Sequence, residues 1–419
     1  MSTTEISAYD RMVWPDGQVE TWLVSGEHRR ELMAYFGEAE YLALRRLAIA
    51  AAAATPDPDR CVFFVPGIMG SQLCQPRERP LPDNLIWLDP GDIQQGRFTL
   101  LTMPGQQLLA CGPVLYYYLR LKLVLTAAGY SVRCFAYDWR RDVEDSGVVL
   151  SRVLAATRAR EVSVIAHSMG GLVARVALRG EAGERVRRLI TLGSPHRGSY
   201  APVQAIRGVY PLVRRLAQID PHHSPEMLAR EVFSSFHSLY QMLPIDGPYD
   251  LIDSRNWPLT GPQPNATLLD RVPLLQLGGP DARISCIAGY GFQTPVQLTR
   301  VEEDFYYRYE YSGDGTVAAA RAVIAGCEAW YCNVSHNELS RSTVVHEALL
   351  QLLADRAPQL SSAPPPLHDQ PSSASDSELR RMLNDKIDWL QLDNTQRRAY
   401  LDSLNRAPPA SPSWQGSHP

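Results

Sequence analysis

A stretch of fourteen residues in the first half of the chain constrains the fold more than any other part of the sequence. Residues 162–175 read VSVIAHSMGGLVAR, which is a short apolar run, a tight turn centred on Ser168 and a second apolar run. The first run is typical of a buried strand and the second of a buried helix. A strand that turns sharply into a helix presents the turn residue at the edge of a parallel sheet. The sequence therefore predicts an α/β chain with an exposed serine turn.

The residues around Ser168 fit a nucleophile elbow, the strained turn that carries the reactive serine in such chains. The turn needs small residues two positions before and two after the serine, and these are Ala166 and Gly170. Glycine is usual at the first position, and alanine adds one methyl group. The alternative is a serine that only caps the helix, which would not need His167 before it or the Met-Gly-Gly after it. We predict that Ser168 is a nucleophile whose helix N-terminus favours developing negative charge.

Strand-like and helix-like segments alternate around this turn. Strands are predicted at 61–65, 131–137, 162–166, 188–192, 284–288, 306–311 and 329–334. Helices are predicted at 114–128, 145–159, 169–179 and 341–355. Alternating strands and helices favour a parallel sheet with right-handed crossovers. With the elbow, they predict an α/β-hydrolase fold, a mostly parallel sheet with helices on both faces, an inserted cap and a C-terminal helical extension.

The chain divides into seven predicted segments. They are an N-terminal helical segment (1–58), the first part of the core (59–197) with an irregular loop (71–112), a cap or lid insertion (198–282), the second part of the core (283–357), a Pro/Ser-rich linker (358–374), a helical hairpin (375–406) and a disordered tail (407–419). Ser375 and Glu378 form a capping-box pattern at the start of the hairpin. The hairpin has two interpretations: it docks on its own core, or it contacts a protein partner or a membrane surface.

A serine nucleophile needs a base and an orienting carboxylate, and this fold supplies them in the chain order Ser, Asp or Glu, His. Asp314 follows a strand-like run in the turn SGDGTV, although a plain turn aspartate is the alternative. His336 follows the last predicted strand, where the base is expected. His346 is its competitor, but it lies in a helical pattern and is interpreted as structural. Four histidines that precede Asp314 break the expected order: His167, His222, His223 and His237.

The negative oxygen of a tetrahedral intermediate needs two backbone donors. One is predicted to be the N–H of Met169, directly after the nucleophile. The other is predicted in the loop VPGIMGS (65–71), whose glycines allow close approach, and Ile68 is the candidate. The alternative is a loop that only turns a strand into the next element.

Charge and cysteine content limit the classes of partner. A formal net charge of −4 gives no electrostatic reason to expect nucleic acid. The seven cysteines form no CxxC pair and the first residues do not read as a secretory signal. Free thiols in a reducing cytoplasm are therefore expected, with peripheral membrane contact as a further option. No metal cluster or nucleotide-binding loop is visible, so the sequence predicts neither metal nor cofactor.

Six segments, in this order, resemble the lecithin:cholesterol acyltransferase-like family of α/β-hydrolases, which includes phospholipid:sterol and phospholipid:diacylglycerol acyltransferases and lysosomal phospholipase A2. The segments are FVPGIMGSQL (64–73), YDWR (137–140), AHSMGGLVAR (166–175), LGSPHRGS (192–199), SGDGTV (312–317) and SHNEL (335–339). They span roughly residues 60–355. The resemblance implies that an acyl group is hydrolysed or transferred from a lipid ester. It implies a triad of Ser168, Asp314 and His336, oxyanion donors at Ile68 and Met169, and a structural role for 137–140.

Several functions remain open on these residues. The first is a lipid-ester acyl hydrolase, similar to a lipase or phospholipase A, that forms an acyl-enzyme on Ser168. The second is an O-acyltransferase in which an alcohol resolves the same intermediate. The others are a hydrolase of smaller esters, thioesters or polyesters, and a catalytically silent interaction or effector protein. Six aromatic residues fit either an apolar acyl pocket or ordinary core packing: Tyr116, Tyr117, Tyr118, Phe233, Phe236 and Tyr240.

Overall fold

The computed structural model describes residues 14–78, 83–366 and 370–404. The predicted disordered tail, 407–419, lies outside the described residues. The helices are α1 (Asp16–Ser25), α2 (Arg29–Phe36), α3 (Glu38–Ala53), α4 (Pro90–Gln94), α5 (Leu115–Ala127), α6 (Val143–Ala155), α7 (Gly170–Arg179), α8 (Ala201–Ile206), α9 (Pro211–Ile219), α10 (Pro225–Glu231), α11 (His237–Tyr240), α12 (Ala266–Leu269), α13 (Ala319–Ala322), α14 (Thr343–Leu353), α15 (Asp376–Arg380) and α16 (Asn394–Ser403). The strands are β1 (Asp57–Val65), β2 (Ser71–Gln75), β3 (Asn84–Trp87), β4 (Leu109–Pro113), β5 (Tyr130–Cys134), β6 (Glu161–His167), β7 (Val186–Leu192), β8 (Ile284–Gly289), β9 (Phe292–Val301), β10 (Asp304–Gly313), β11 (Glu328–Cys332) and β12 (Ser372–Ser375).

A six-stranded parallel sheet forms the centre of the molecule. Its strand order is β11-β8-β7-β6-β1-β5, and every neighbouring pair is parallel. The central strand β6 is buried along almost its whole length because helices cover both faces of the sheet. The predicted α/β-hydrolase fold is confirmed.

One predicted strand does not belong to this sheet. The run at 306–311 lies in β10, which pairs antiparallel with β9 in a hairpin inserted between β8 and β11. The hairpin turns at Glu302 and Glu303, where Val301 pairs with Asp304. Strand propensity is the same in both kinds of sheet, so the local sequence could not distinguish them. β12 joins this hairpin, so the last residues of the predicted linker 358–374 form a strand.

The predicted irregular loop 71–112 contains a small antiparallel sheet of order β3-β2-β4. β2 and β4 are neighbours, and they bring the Cα atoms of Cys74 and Cys111 to 6.2 Å in a disulfide. The prediction of free thiols is therefore wrong for these two cysteines. Disulfides persist mainly in oxidising compartments, so the pair counts against the reducing cytoplasm that the cysteine pattern indicated.

The predicted cap, residues 198–282, contains five short α-helices, α8 to α12, and several of its residues line the same cavity as Ser168. It shares one hydrophobic core with the sheet. Phe236 of the cap, for example, packs edge-on against Trp139 at 5.4 Å between ring centroids. The helices are short because Gly208 and Pro211 interrupt the apolar pattern between α8 and α9.

The C-terminal segment, residues 370–404, differs from the predicted hairpin. α15 and α16 are separated by a mostly non-helical stretch that runs along the cap. Asp376 forms a fully buried ion pair with Arg207, which follows α8, at 2.8 Å. Lys386 donates to the carbonyl oxygens of Ala217 and Asp220 at the end of α9, at 2.7 and 2.6 Å. The segment is thus docked on the cap of its own chain.

The N-terminal helices α1 to α3 pack against α5 through a separate apolar cluster. Two ion-pair sets reinforce this contact: Lys122 bonds Asp16 at 2.7 Å, and Arg120 bonds Glu40. Among residues 14–78, 83–366 and 370–404, no helix combines the length and the apolar character needed to cross a lipid bilayer.

Candidate active site

Ser168 occupies the strained turn that the sequence predicts. Its φ is 53°, a left-handed conformation that non-glycine residues rarely adopt. A Cβ at Gly170 would lie 2.5 Å from the carbonyl oxygens of Val65 and Pro66, so only glycine fits there. Ala166 is completely buried at the end of β6, where its methyl group is accommodated. The elbow therefore tolerates alanine at the first small position and requires glycine at the second.

The structure brings the three predicted triad residues together. Oγ of Ser168 lies 2.9 Å from Nε2 of His336. Nδ1 of His336 lies 2.7 Å from Oδ2 of Asp314. All three residues are buried, so the hydrogen-bonded chain has little contact with bulk water. This geometry allows His336 to accept the hydroxyl proton while Asp314 orients its ring.

Asp314 is held by its own turn. Oδ1 accepts the N–H groups of Thr316 and Val317 at 2.9 and 2.7 Å, which leaves Oδ2 for His336. The carbonyl of Asp314 also accepts the N–H of His336 at 2.9 Å. The glycines of SGDGTV allow this tight arrangement, and Gly315 has a φ of 96°. The carboxylate comes from the inserted β9–β10 hairpin, immediately after β10.

The two predicted oxyanion donors flank Ser168. Ile68 lies in residues 66–70, called the oxyanion loop here after its predicted role, and lines the same cavity as Ser168. Within the described part of the chain, the backbone N–H groups of Ile68 and Met169 donate to no protein acceptor. Met169 also precedes the first residue of α7, where the helix dipole favours negative charge. Neither N–H group is thus occupied by a protein acceptor of the described residues, as the predicted oxyanion role requires.

Two aromatic side chains, those of Tyr137 and Trp87, hold the oxyanion loop by hydrogen bonds to its carbonyl groups. The Tyr137 hydroxyl donates to the carbonyl of Pro66 at 2.8 Å, and the Trp87 indole donates to the carbonyl of Met69 at 2.7 Å. Trp139 donates to the carbonyl of Ser71 at 2.9 Å. The structural role that the family resemblance implied for 137–140 agrees with these contacts. Trp87 was not predicted, because no local pattern connects it with residues 66–70.

An apolar cavity of about 1040 Å³, including its open mouth, leads to Ser168. Of the six aromatic residues considered from the sequence, Tyr117, Tyr118 and Phe233 line it, whereas Tyr116, Phe236 and Tyr240 are packed elsewhere. Most of the remaining wall is aliphatic and comes from the cap, from both parts of the core and from the C-terminal segment: Leu88, Val114, Ala205, Leu212, Leu239, Met242, Val317 and Leu404. In the described residues, no three His, Cys, Asp or Glu side chains cluster in a way that could hold a metal ion.

Three further buried histidines are held neutral by the fold. Burial, with a contribution from the neighbouring His336, lowers the pKa of His167 to about 3. Burial, with a contribution from Arg175, lowers the pKa of His196 to about 3. Burial also lowers the pKa of His346 to about 4. Nε2 of His346 lies 2.9 Å from the carbonyl oxygen of Ser340. Because a carbonyl oxygen only accepts, Nε2 of His346 is the donor.

Protonation of these three histidines is expected to lower the free energy of unfolding in weak acid. Their folded-state pKa values lie below the ordinary value of 6.5, so the unfolded chain binds more protons below about pH 6.5. The free energy of unfolding should be fully retained above that pH and should fall as the pH drops toward 4, by at most about 4 kcal/mol per pH unit. Urea denaturation at about pH 7.5, 6.5 and 5.5 measures it. A His346→Gln variant should show a slope shallower by about one third; a pH-independent wild type would contradict the assignment.

The fold and the geometry around Ser168 define a protein of the α/β-hydrolase class, the fold shared by lipases and carboxylesterases. A family model described as a PGAP1-like alpha/beta domain matches residues 149–234, which include the elbow and the start of the cap. No curated protein matches the chain. The matched model and the three structures described next do not name the lecithin:cholesterol acyltransferase-like family, so that resemblance stays a prediction.

Solved structures with similarity to this chain include the mature Bacillus licheniformis lipase BlEst2. It is 16% identical, and the match covers 71% of this chain and 94% of that lipase with a TM-score of 0.38. The Tle4–Tli4 complex contributes a chain that is 14% identical, with coverages of 70% and 97% and a TM-score of 0.45. A carboxylesterase structure from Nitrososphaera gargenis is 11% identical, with coverages of 72% and 92% and a TM-score of 0.34.

Proposed function

We propose that the protein is a serine-dependent carboxylic ester hydrolase that acts on esters of long, apolar acyl chains, as lipases and phospholipases A do. One observation carries the proposal: Ser168 and His336, which are hydrogen-bonded to each other and through His336 to Asp314, line an apolar cavity. A serine activated in this way attacks acyl carbons. The cavity supplies the apolar surface that a lipid acyl chain buries.

The proposed reaction has two steps. Oγ of Ser168 attacks the ester carbonyl carbon while Nε2 of His336 takes the hydroxyl proton. The carbonyl electron pair moves onto oxygen, where the N–H groups of Ile68 and Met169 bind it. The C–O bond to the alcohol breaks, and the alcohol leaves with the proton from His336. Water then repeats the sequence on the acyl-enzyme, which releases the fatty acid and restores Ser168.

Acyl-chain length is the property that the cavity should select. Each methylene buried from water contributes about 0.8 kcal/mol, which corresponds to roughly fourfold in kcat/KM until the cavity is filled. We expect kcat/KM for p-nitrophenyl esters to rise from acetate to octanoate and to stay high for palmitate. Phospholipid vesicles, with released fatty acid as the readout, then test the lipid substrate directly. An added alcohol that captures the acyl group in place of water would instead indicate transfer.

A cavity variant makes this test specific. Ala205 lies on α8 and lines the cavity, so Ala205→Phe should shorten the preferred chain by occupying part of its space. Ala52 is exposed on α3, and Ala52→Phe is the matched control, which should keep the wild-type chain-length profile. Equal kcat/KM for acetate and palmitate in the wild type would rule out acyl-chain binding in this cavity.

A further inference from the structure

A chain of buried hydrogen bonds runs behind the triad, from the oxyanion loop to the predicted base. The Tyr118 hydroxyl, on α5, accepts a hydrogen bond from the Gly67 N–H at 3.2 Å and lies 3.0 Å from Nδ1 of His167. Nε2 of His167 lies 2.9 Å from the carbonyl oxygen of His336. Tyr118 and His167 are only 4% and 5% exposed. Water therefore competes little for these bonds, which are stronger in such surroundings than at the surface.

The partners determine the direction of each bond. A carbonyl oxygen only accepts, so Nε2 of His167 carries the proton that bonds His336. In the neutral ring Nδ1 is then an acceptor, and the Tyr118 hydroxyl donates to it. The ring is neutral because burial lowers its pKa to about 3. Both side chains line the cavity. Both ring nitrogens of His167 are already hydrogen-bonded, and the hydroxyl proton of Tyr118 is used in its bond to His167. Neither side chain therefore has a proton to donate to a substrate.

The two ends of this chain lie where the reaction demands accurate placement. Gly67 precedes the predicted oxyanion donor Ile68 and packs on the elbow so closely that a Cβ on Gly67 would lie 2.8 Å from Cβ of Ser168. At the other end, the backbone of His336 is held on both sides. Its N–H donates to the carbonyl of Asp314 at 2.9 Å, and its own carbonyl accepts from His167. The oxyanion loop and the base are thus connected through two side chains.

We propose that Tyr118 and His167 are positioning residues that hold the oxyanion loop and the base His336 in register with Ser168. The inference rests on the proposed ester hydrolysis and assigns two residues to it that the triad and the oxyanion donors do not include. A displacement of about 1 Å in a reacting group can lower the rate about 100-fold. The loss should appear in kcat and not in KM, because the apolar surface that binds the acyl chain is retained.

Three variants separate positioning from packing. Glutamine at 167 can place an amide N–H near the position of Nε2, whereas methionine of similar length has no donor, so His167→Gln and His167→Met form a matched pair. Tyr118→Phe removes one oxygen atom. With p-nitrophenyl octanoate, we expect His167→Met to lose about 100-fold in kcat with KM within about twofold. His167→Gln should recover at least about tenfold of that loss, and Tyr118→Phe should lose about tenfold.

His346→Met is the control for loss of a buried histidine. Nε2 of His346 also donates to a backbone carbonyl, that of Ser340, but it lies outside this chain of bonds. The control should lower the thermal midpoint and keep the wild-type kcat. Wild-type kcat in folded His167→Met and Tyr118→Phe would overturn the inference, as would a His167→Gln variant no better than His167→Met. If His167→Met does not fold, the kcat of Tyr118→Phe decides whether the inference holds.

A wild-type protein that hydrolyses no ester and whose Ser168 is not labelled by a fluorophosphonate overturns the proposed function itself, and the inference with it.

Discussion

Replacement of Ser168 with alanine is expected to lower kcat for a p-nitrophenyl ester by about four to six orders of magnitude. Without Oγ no acyl-enzyme can form, and His336 loses the hydroxyl that lies 2.9 Å from its Nε2. KM should change little, because the missing oxygen is a small part of a largely apolar cavity. Residual catalysis from the oxyanion donors and from binding should remain above the uncatalysed rate. Initial rates across substrate concentration, with folding monitored by circular dichroism, give both parameters.

Ser342→Ala is the matched control for this experiment. Ser342 is partly exposed before α14, and its side chain makes no capping hydrogen bond to the helix. It should retain wild-type kcat and wild-type labelling by a fluorophosphonate. If Ser168→Ala retained more than about one hundredth of the wild-type kcat, a different nucleophile would have to be sought.

The second large effect is expected on stability, from Asp376→Ala in the C-terminal segment. The carboxylate of Asp376 is fully buried, bonds Arg207 at 2.8 Å and accepts the Tyr307 hydroxyl at 2.9 Å. Alanine would leave the buried Arg207 guanidinium without its ionic partner, which costs about 3–5 kcal/mol. The free energy of unfolding should fall by that amount in urea denaturation. Because α8 lines the cavity, hydrolysis of long-chain esters should weaken as well.

Two further variants define what the ion pair contributes. Asp59→Ala removes one partner of an exposed ion pair with Arg160 and should change stability by less than about 0.5 kcal/mol. The double variant Arg207→Met with Asp376→Leu removes both charges and should recover most of the lost stability, since apolar pairs of similar volume replace buried ion pairs well. An Asp376→Ala protein as stable as wild type would show that the C-terminal segment is not anchored to the cap at this point.

The local sequence was sufficient for the elbow and for most of the central sheet. Strand, turn and helix at 162–175 follow from an apolar pattern and from the size of Ala166 and Gly170. The predicted segments at 61–65, 162–166 and 188–192 fall within β1, β6 and β7. The order of Ser168, Asp314 and His336 was also sufficient to select three residues that the structure brings within hydrogen-bond distance. Their catalytic roles stay a proposal until the variants are measured.

Contacts between distant parts of the chain are not encoded in the local sequence pattern. The disulfide between Cys74 and Cys111 depends on β2 and β4 being neighbours in a region that was predicted to be irregular. The ion pair between Arg207 and Asp376 depends in the same way on partners that are distant in sequence. The β9–β10 hairpin joins neighbouring strands, but strand propensity does not encode whether a strand pairs parallel or antiparallel.

The sequence by itself determined the fold class and the strained serine turn, because both depend on residue size or on short-range periodicity. The chain order Ser, Asp or Glu, His that this fold uses then selected the candidate triad. Only the tertiary structure decided what surrounds Ser168: the apolar cavity beneath the cap, the C-terminal segment fastened to that cap, and the bonds from Gly67 through Tyr118 and His167 to His336. The physical reason is that a buried polar group needs a partner, and that partner can lie at any distance along the chain.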